Sequence, residues 1–436
     1  MSSNIQRNMK KSSIIAMILL AAAVIGTTSC DKKEQEEPAL NTEQQQNKID
    51  ETAAAFIAEL DPQYWQSTVE TILPAMRYLV KTDISAVADI EPVIVEKTTE
   101  GNTEITESTV DLSLIRGHFV PGEDGVIVAE EGDFDDFALS FEAEEHSYVA
   151  NISVVNSSKR VFLVGMSEVS QAESGETSPS RTWNDYLILP SKVVADVVAD
   201  GSKPFSLEFG LTYNGPESWP DVLADIASLQ MNVSLLAKAG DYAIDLSQLS
   251  FKDGIAAERF TIKRSGKSLL VLDADVTGLD VDMDSDEIPV RCDNADVALD
   301  VMGGVQVKGN LKVGEILKLI PELDKSEPAT VEEAQALLNS LDPFYDLDVY
   351  YDGGKTSQAS VALMAVEYGD EIEPAPVINF KDGTSMAVME FFAPDKFPKT
   401  LEAFQLLMGK VTAIAQEIDD ALSYKEDADV VPVPQG

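Results

Sequence analysis

A change in hydrophobic period constrains the fold of this chain more than any other feature. From about Ser108 to Met302, apolar and polar residues alternate one by one. Two clear runs have as their apolar members Phe137, Leu139, Phe141 and Ala143, and Phe205, Leu207, Phe209, Leu211 and Tyr213. Because successive side chains of a strand point to opposite faces, this alternation predicts antiparallel strands with one face toward a core and one toward water.

Residue pairs that favour tight turns separate these strands. In each pair a glycine follows aspartate, serine or another glycine, and glycine adopts the positive φ of short hairpin turns without steric strain. The pairs are Asp124-Gly125, Asp253-Gly254, Ser265-Gly266, Gly303-Gly304, Asp352-Gly353 and Asp382-Gly383. They predict hairpins.

Helical spacing replaces the alternation near the N-terminus. Thr42 and Gln45 form a capping-box pattern, and apolar residues then recur at helical intervals until Asp61-Pro62 stops them. A second helical pattern contains Pro74. Proline removes a backbone donor, so we expect a kink in this second helix.

Two further helices are predicted toward the C-terminus. Thr330 and Glu333 form another capping box between two groups of strands. After Pro398, apolar residues recur three and four positions apart. They are Leu401, Phe404, Met408, Val411, Ala415, Ile418 and Leu422, and the stripe is widened by Leu407, Ile414 and Ala421. A stripe this broad should be buried, on a sheet or on the N-terminal helices.

These patterns predict an α+β protein, with antiparallel β-sheets in a large central region and helices packed from the N- and C-terminal segments. The expected divisions are a signal peptide at 1–29, an acidic tether at 30–41, a helical start with an antiparallel β region at 42–302, an α+β region ending in a long amphipathic helix at 303–424, and an acidic, proline-containing tail at 425–436.

An export signal precedes the fold. Lys10 and Lys11 are followed by an apolar run over 14–26, and Thr27-Thr28-Ser29 then leads directly to Cys30. The apolar run is shorter than the ~20 residues of a membrane-spanning helix. The order of charged, apolar and small residues predicts cleavage before Cys30 and attachment of lipid to its sulfur.

This segment, with the acidic stretch over 31–37, resembles the lipoprotein signals of Bacteroidota-type Gram-negative bacteria. The resemblance covers about the first 37 residues. It implies a membrane anchor at Cys30 and a surface-exposed lipoprotein of the outer membrane. Thr27 stands where that family usually has a large aliphatic residue. Met9 precedes the basic pair as a natural start would, so Met1 and Met9 are both candidate start residues.

The charge of the chain limits its partners. It carries 76 acidic and 32 basic residues, for a net charge of −44 at pH 7. Nucleic acids and anionic membrane surfaces would be repelled, so we expect no nucleic-acid partner. A protein or glycan partner stays open.

Few residues suit catalysis or a cofactor. With Cys30 lipidated, Cys292 has no disulfide partner within the chain, and its acidic neighbours should raise the pKa of its thiol. His118 and His146 are the only histidines, and neither lies in a catalytic motif. We therefore expect no cofactor and no histidine-dependent hydrolysis.

A run of aspartates is the best candidate for specific chemistry. On a strand, its members Asp280, Asp282, Asp284 and Asp286 would share one face and offer oxygens to calcium. Ser285 and Arg291 stand where an EF-hand loop has glycine and glutamate. A solvated strand face in a very acidic protein is the favoured interpretation, and it also applies to Asp273 and Asp275.

Three functions are compatible with these features. The first is a non-catalytic, membrane-anchored lipoprotein with a binding or structural role at the cell envelope. The second is a carrier or sensor of a hydrophobic ligand in a cavity between helix and sheet. The third is a glycan-acting enzyme that uses paired carboxylates. An apolar cavity would favour the carrier, and a cleft with converging carboxylates would favour the enzyme.

Overall fold

The computed structural model of the protein describes residues 40–82, 93–98, 104–122, 126–168, 181–217, 229–281, 290–325, 328, 330–368, 371–387, 390, 393 and 395–422. The predicted signal and Cys30 lie outside these residues. Within them the chain forms five α-helices: α1 (Thr42–Glu59), α2 (Gln66–Lys81), α3 (Val313–Lys325), α4 (Val331–Leu338) and α5 (Pro398–Leu422). None of the helices described is long and apolar enough to cross a membrane.

The strands occupy most of the remaining described chain. They are β1 (Val93–Thr98), β2 (Glu104–Asp111), β3 (Gly117–Pro121), β4 (Ile127–Ala129), β5 (Phe137–Ala143), β6 (His146–Glu168), β7 (Arg181–Ala199), β8 (Ser202–Asn214), β9 (Gln230–Ala239), β10 (Tyr242–Lys252), β11 (Ile255–Arg264), β12 (Lys267–Thr277), β13 (Asp280–Val281), β14 (Val290–Arg291), β15 (Asn294–Val301), β16 (Val305–Leu311), β17 (Tyr345–Tyr351), β18 (Ala359–Tyr368), β19 (Glu371–Phe380) and β20 (Ser385–Ala387).

One 18-stranded sheet contains all of these strands except β13 and β14, which pair with each other. From β5 onward, each strand of the sheet pairs with the next one along the chain, and all of these pairs are antiparallel. The antiparallel prediction is therefore confirmed. Two parallel pairs, β2 with β7 and β3 with β5, make the sheet as a whole mixed.

Strand β7 joins two parts of the sheet. Its first half, Arg181–Ile188, pairs with β2, and its second half, Lys192–Ala199, pairs with β8 on the same side. Pro190 lies between the halves, opposite an irregularity in β6. Because proline has no N–H to donate, the change of partner falls where a ladder hydrogen bond is already lost.

Helix α1 crosses the hairpin turns at one end of the sheet. Near its start, Lys48 forms an ion pair with Asp352 in the turn between β17 and β18. At its end, Glu59 pairs with Arg264 and, at 3.1 Å, with Lys267, on the two sides of the β11–β12 turn. The helix thus runs across the strands. Its early residue Lys48 contacts the β17–β18 turn and its last residue Glu59 contacts the β11–β12 turn, so later helix residues contact earlier turns of the chain.

Helix α2 continues along the same row of turns. Thr68 packs on Gly240 in the β9–β10 turn and leaves no room there for a side chain. Arg77 pairs with Glu144 in the β5–β6 turn at 2.9 Å. The helices have 18 and 16 residues, so they reach about 50 Å at 1.5 Å per residue. The strands from β5 to β18 span about the same distance at ~4.8 Å each.

Two hydrophobic cores lie under this helix pair. In the first, Ile49 of α1 packs with strands β15–β19 and with α3 and α4, and Val307 and Val349 are fully buried there. In the second, Ala75 of α2 packs on Phe141 and Tyr148 of β5 and β6. The cores share one face of the sheet, hereafter the helix face, and lie toward its opposite edges. The predicted boundary at 302/303 falls in the turn between the paired strands β15 and β16.

Helix α5 packs on α1 and is capped by it. The buried carboxylate of Asp50 accepts hydrogen bonds from the backbone N–H of Thr400 at 2.8 Å and of Lys399 at 3.3 Å, and from the Thr400 hydroxyl at 2.8 Å. Further along, Lys410 pairs with Asp61. A carboxylate at a helix N-terminus is favoured both by its hydrogen bonds and by the helix dipole.

The structure corrects part of the stripe predicted for α5. Ile414 is buried, but Phe404 is 37% exposed and Met408 is 45% exposed. Helix α5 contacts another helix layer rather than the sheet, so only the side toward α1 is covered. Other helix predictions differ in detail: α1 is capped by Asn41 rather than Thr42, and α2 runs on through Pro74.

The cap on α5 gives a stability prediction. Replacing Asp50 with alanine leaves two helix N–H groups without their partner, so Asp50→Ala should lower the free energy of unfolding by about 2 kcal/mol. Urea unfolding followed by circular dichroism measures this change. Glu51→Ala is the matched control, because Glu51 forms only an exposed pair with Lys399. Equal stability of the two variants would contradict the capping role.

Candidate functional site

The helix face is apolar from one core to the other. Across the middle strands, Phe209 of β8 pairs with Leu235 of β9, which pairs with Leu246 of β10. Leu246 in turn pairs with Phe260 of β11, and Phe260 with Leu272 of β12. Because side chains of directly paired residues share a face of the sheet, a continuous apolar surface connects the two cores.

The part of this surface on β8–β11 will be called the mid-sheet face. Its apolar members are Phe205, Leu207, Phe209, Leu211, Tyr213, Met231, Val233, Leu235, Ala237, Ile244, Leu246, Leu249, Phe251, Phe260 and Ile262. None of them is buried, and Ile244 is 45% exposed. On the same face further along the sheet, Val307 and Val349 have no exposed surface. Within the described part of the chain, the mid-sheet face is therefore less completely covered than the two cores.

The size of the mid-sheet face points to binding. Four strands of about ten residues, ~4.8 Å apart and rising ~3.4 Å per residue, give this face a footprint of roughly 600 Å², and because most of its side chains are partly buried the exposed apolar area is smaller. Apolar surfaces larger than a few hundred Å² are rare on monomeric soluble proteins and mark interaction or ligand sites.

Charged groups on this face are few. Among the described residues of β8–β11 they are Glu258 and Arg264, the latter at the turn end. The Arg264 guanidinium pairs with Glu59 and stacks on the Tyr64 ring at 3.6 Å. Beside it, the Tyr242 hydroxyl donates to the Glu59 carbonyl, and burial raises the pKa of Tyr242 to about 12. These contacts attach the end of α1 to the turn end of the mid-sheet face.

The opposite face of the same strands is charged. Lys263 pairs with Asp245 at 2.6 Å, and Arg259 with Asp273 at 3.5 Å. Asp275, predicted to lie on a solvated strand face, is exposed there. The helix face of these strands is thus mainly apolar, and the opposite face is charged.

The calcium candidates do not form a described site. Asp280 lies on the short strand β13 and is exposed. Asp282, Asp284 and Asp286 lie outside the described residues. Within the described residues, no group of three or more His, Cys, Asp or Glu side chains could hold a metal ion.

Both histidines make local contacts. His118 stacks on Phe134 with ring centroids 3.9 Å apart and lies 3.2 Å from Asp136. Nδ1 of His146 lies 2.6 Å from the Asp200 carboxylate, and this hydrogen bond lowers the pKa of Asp200. The two turns at 144–146 and 199–201 are thereby joined, which is a structural role.

The thiol of Cys292 behaves as its neighbours predict. Burial, with a smaller contribution from the charge of Asp293, raises its pKa. A raised pKa keeps the sulfur protonated and poorly nucleophilic.

No protein-family model matches the chain, and no curated protein matches it. Among solved structures, the chain is similar to a porin-like protein from Bacteroides vulgatus ATCC 8482, at 8% sequence identity over 69% of this chain and 96% of that one, with a TM-score of 0.14. A TM-score this low supports no conclusion about fold or function.

Sequence reasoning found the strands of the mid-sheet face but missed a contact at its turn end and a buried carboxylate on the opposite face of the sheet. The contact of Glu59 with Arg264 joins residues about 200 positions apart, and no local pattern signals it. Asp300 is 4% exposed, on the face of β15 opposite the helices. Its position between apolar residues of β15 could have been used to predict it, because a carboxylate buried within an apolar run either has a partner for its charge or has a shifted pKa.

Burial raises the pKa of Asp300 to about 7, and the charge of Asp273 adds to the shift. In the unfolded chain the pKa of this aspartate is about 3.9. Between about pH 3.9 and about pH 7, the folded protein therefore holds a proton on Asp300 that the unfolded chain has released. The free energy of unfolding should therefore fall as pH rises from about 4 to 7, by up to about 1.4 kcal/mol per pH unit. Asp300→Asn removes this contribution, so its stability relative to the parent chain should increase from pH 5 to pH 8 in urea unfolding. A pH-independent difference would contradict the assignment.

Proposed function

We propose that the chain is a non-catalytic lipoprotein of the cell envelope that binds an apolar ligand at the mid-sheet face. The observation that carries this proposal is the apolar surface between two closed cores, whose side chains stay partly exposed and include Ile244 at 45% exposure. Leaving several aromatic and aliphatic side chains in water opposes folding. A ligand that covers them recovers this free energy.

The chemistry of the face favours binding over catalysis. A carboxylate-dependent glycosidase needs two acids about 5 to 10 Å apart across its substrate. On the described mid-sheet face, Glu258 is the one acid. Sugar-binding sites also need polar groups for the hydroxyls, and this face offers mainly hydrocarbon. An apolar ligand is the better match.

The anchor in this proposal is lipid at Cys30. The residues before it form the signal pattern, and the acidic segment 31–41 separates it from α1 at Thr42. A net charge of −44 keeps the folded part away from anionic surfaces. Such a tether would hold the binding face near the outer membrane, and we propose an outward-facing location.

Two isoleucines offer a matched test of the binding face. Ile244 on β10 is 45% exposed on the helix face, and Ile255 on β11 is 47% exposed on the opposite face. The neutral fluorophore N-phenyl-1-naphthylamine should bind the full chain with enhanced emission. Ile244→Glu should weaken this binding at least about tenfold, because it places a charge against the apolar ligand. Ile255→Glu should leave it unchanged.

Both isoleucines are exposed, so neither substitution should unfold the protein, and thermal melting checks this. Equal affinity of the two variants for the fluorophore would exclude the mid-sheet face as the binding site. Failure of the parent chain to bind would exclude an accessible apolar site altogether.

The anchor is tested by fractionation. Cys30→Ala should move the protein out of the membrane fraction with its fold intact, since the thioether-linked lipid alone holds it there. Retention of the variant in salt-washed membranes would contradict lipidation. Protease added to intact cells should degrade the parent protein, whereas protection until lysis would place it in the periplasm.

A further inference from the structure

Contacts around α1 show where α5 lies relative to the sheet. Residues of an α-helix follow one another at about 100° around the axis. With Ile49, which packs in the sheet core, set at 0°, Lys48 and Glu59 face the hairpin turns at about −90°. Asp50, which binds α5, lies at about +100°. Asp61, just beyond the end of α1, also binds α5. Helix α5 is therefore on the side of α1 away from the turns, above the body of the strands.

The exposed apolar residues of α5 point toward the sheet. Asp50 binds Thr400 and Asp61 binds Lys410, so α1 and α5 run parallel. On α5, Met408 lies about a quarter turn from the side that contacts α1. Because α1 and α5 run parallel, side chains advance around both helices in the same rotational direction. Asp50 lies about a quarter turn past the sheet-facing side of α1, so a residue about a quarter turn past the α1-facing side of α5 faces the sheet. Met408 is such a residue.

The strands beneath this part of α5 belong to the mid-sheet face. The end of α1 contacts the β11–β12 turn through Glu59, and the neighbouring Asp61 holds Lys410 of α5. Met408 is thus positioned above β10–β12. The most exposed apolar side chain of the mid-sheet face, Ile244, lies on β10.

We infer that α5 forms the second wall of the ligand site, and that the part of the ligand held between the walls is a hydrocarbon chain. This inference rests on the proposed function and adds its second surface and its ligand class. Met408 contacts the ligand from one side, and Ile244 contacts it from the other.

Hydrogen bonding favours a hydrocarbon chain over an extended peptide as the occupant of the space between α5 and the sheet. Strand β10 is paired on both sides, with β9 and with β11, and the backbone of α5 is satisfied within its own helix. Neither wall has backbone groups to offer. An extended peptide in this space would leave its own N–H and C=O groups unpaired, whereas an alkyl chain has none.

Charge selects the head group. The chain has a net charge of −44, which repels a carboxylate or phosphate head at long range. A cationic head would be attracted rather than repelled, so the charge excludes only anionic heads, and the ligand is an amphiphile whose head group is not anionic.

The test compares two neighbouring residues of α5. Met408 is 45% exposed, and Leu406 is 59% exposed, on a side of the helix about 160° away from Met408. The full chain with Cys30→Ala needs no detergent and serves as the parent. Met408→Glu should weaken N-phenyl-1-naphthylamine binding at least about tenfold, and Leu406→Glu should leave it unchanged. Monolauroylglycerol should displace the fluorophore at lower concentration than laurate.

Each outcome bears on one claim. If Ile244→Glu weakens binding and Met408→Glu does not, the sheet binds the ligand without α5, and this inference is wrong while the proposed function stands. If Met408→Glu and Leu406→Glu weaken binding equally, α5 does not form a wall. If laurate displaces the fluorophore as well as monolauroylglycerol does, the head-group assignment is wrong.

Discussion

The attachment of two consecutive helices to a single row of hairpin turns is the constraint on which the rest of this structure depends. Within the described residues, the only sheet beside this one has two strands, so the apolar face of the large sheet must be covered mainly by helices. Helices α1 and α2 reach across most of it because they run perpendicular to the strands. Ion pairs from Lys48, Glu59 and Arg77 to successive turns determine their position. Such partly exposed pairs contribute little stability each, but they fix orientation.

This arrangement explains why an apolar face is left partly exposed. A helix is about 10 Å wide, whereas a ten-residue strand is about 34 Å long. Helices at the turn end therefore cover only part of each strand. At β15–β19, α3 and α4 supply the remaining cover, as the full burial of Val307 and Val349 shows. At β8–β11, α1 and α2 reach only the turn end of the strands, where Tyr242 donates to the Glu59 carbonyl and Thr68 packs on Gly240, and α5 lies above the sheet with an apolar side toward it. The proposed ligand site follows from this difference in cover.

The two faces of the middle strands divide the functions of solubility and binding. Charges on one face, such as Lys263 with Asp245, interact with water and with each other. The other face holds apolar side chains and very few charges. The acidic surface also disfavours anionic ligands before they reach the apolar face. Asp300 shows the limit of this division, because its burial raises its pKa to about 7.

The local patterns of the sequence predicted most of the strands and turns and four of the five described helices, whereas α3 was not predicted and α1 is capped by Asn41, one residue before the predicted cap. The alternation from Phe205 to Tyr213 predicted β8 and its two faces, because strand geometry depends only on neighbouring residues. The same alternation could not show whether the apolar face is covered, since cover depends on helices distant in the chain. For the same reason the stripe on α5 suggested full burial, and only the cap from Asp50 placed α5 on α1 and left Met408 exposed. Local sequence thus decided which residues are apolar on one face, and the tertiary structure decided which of those faces another layer covers.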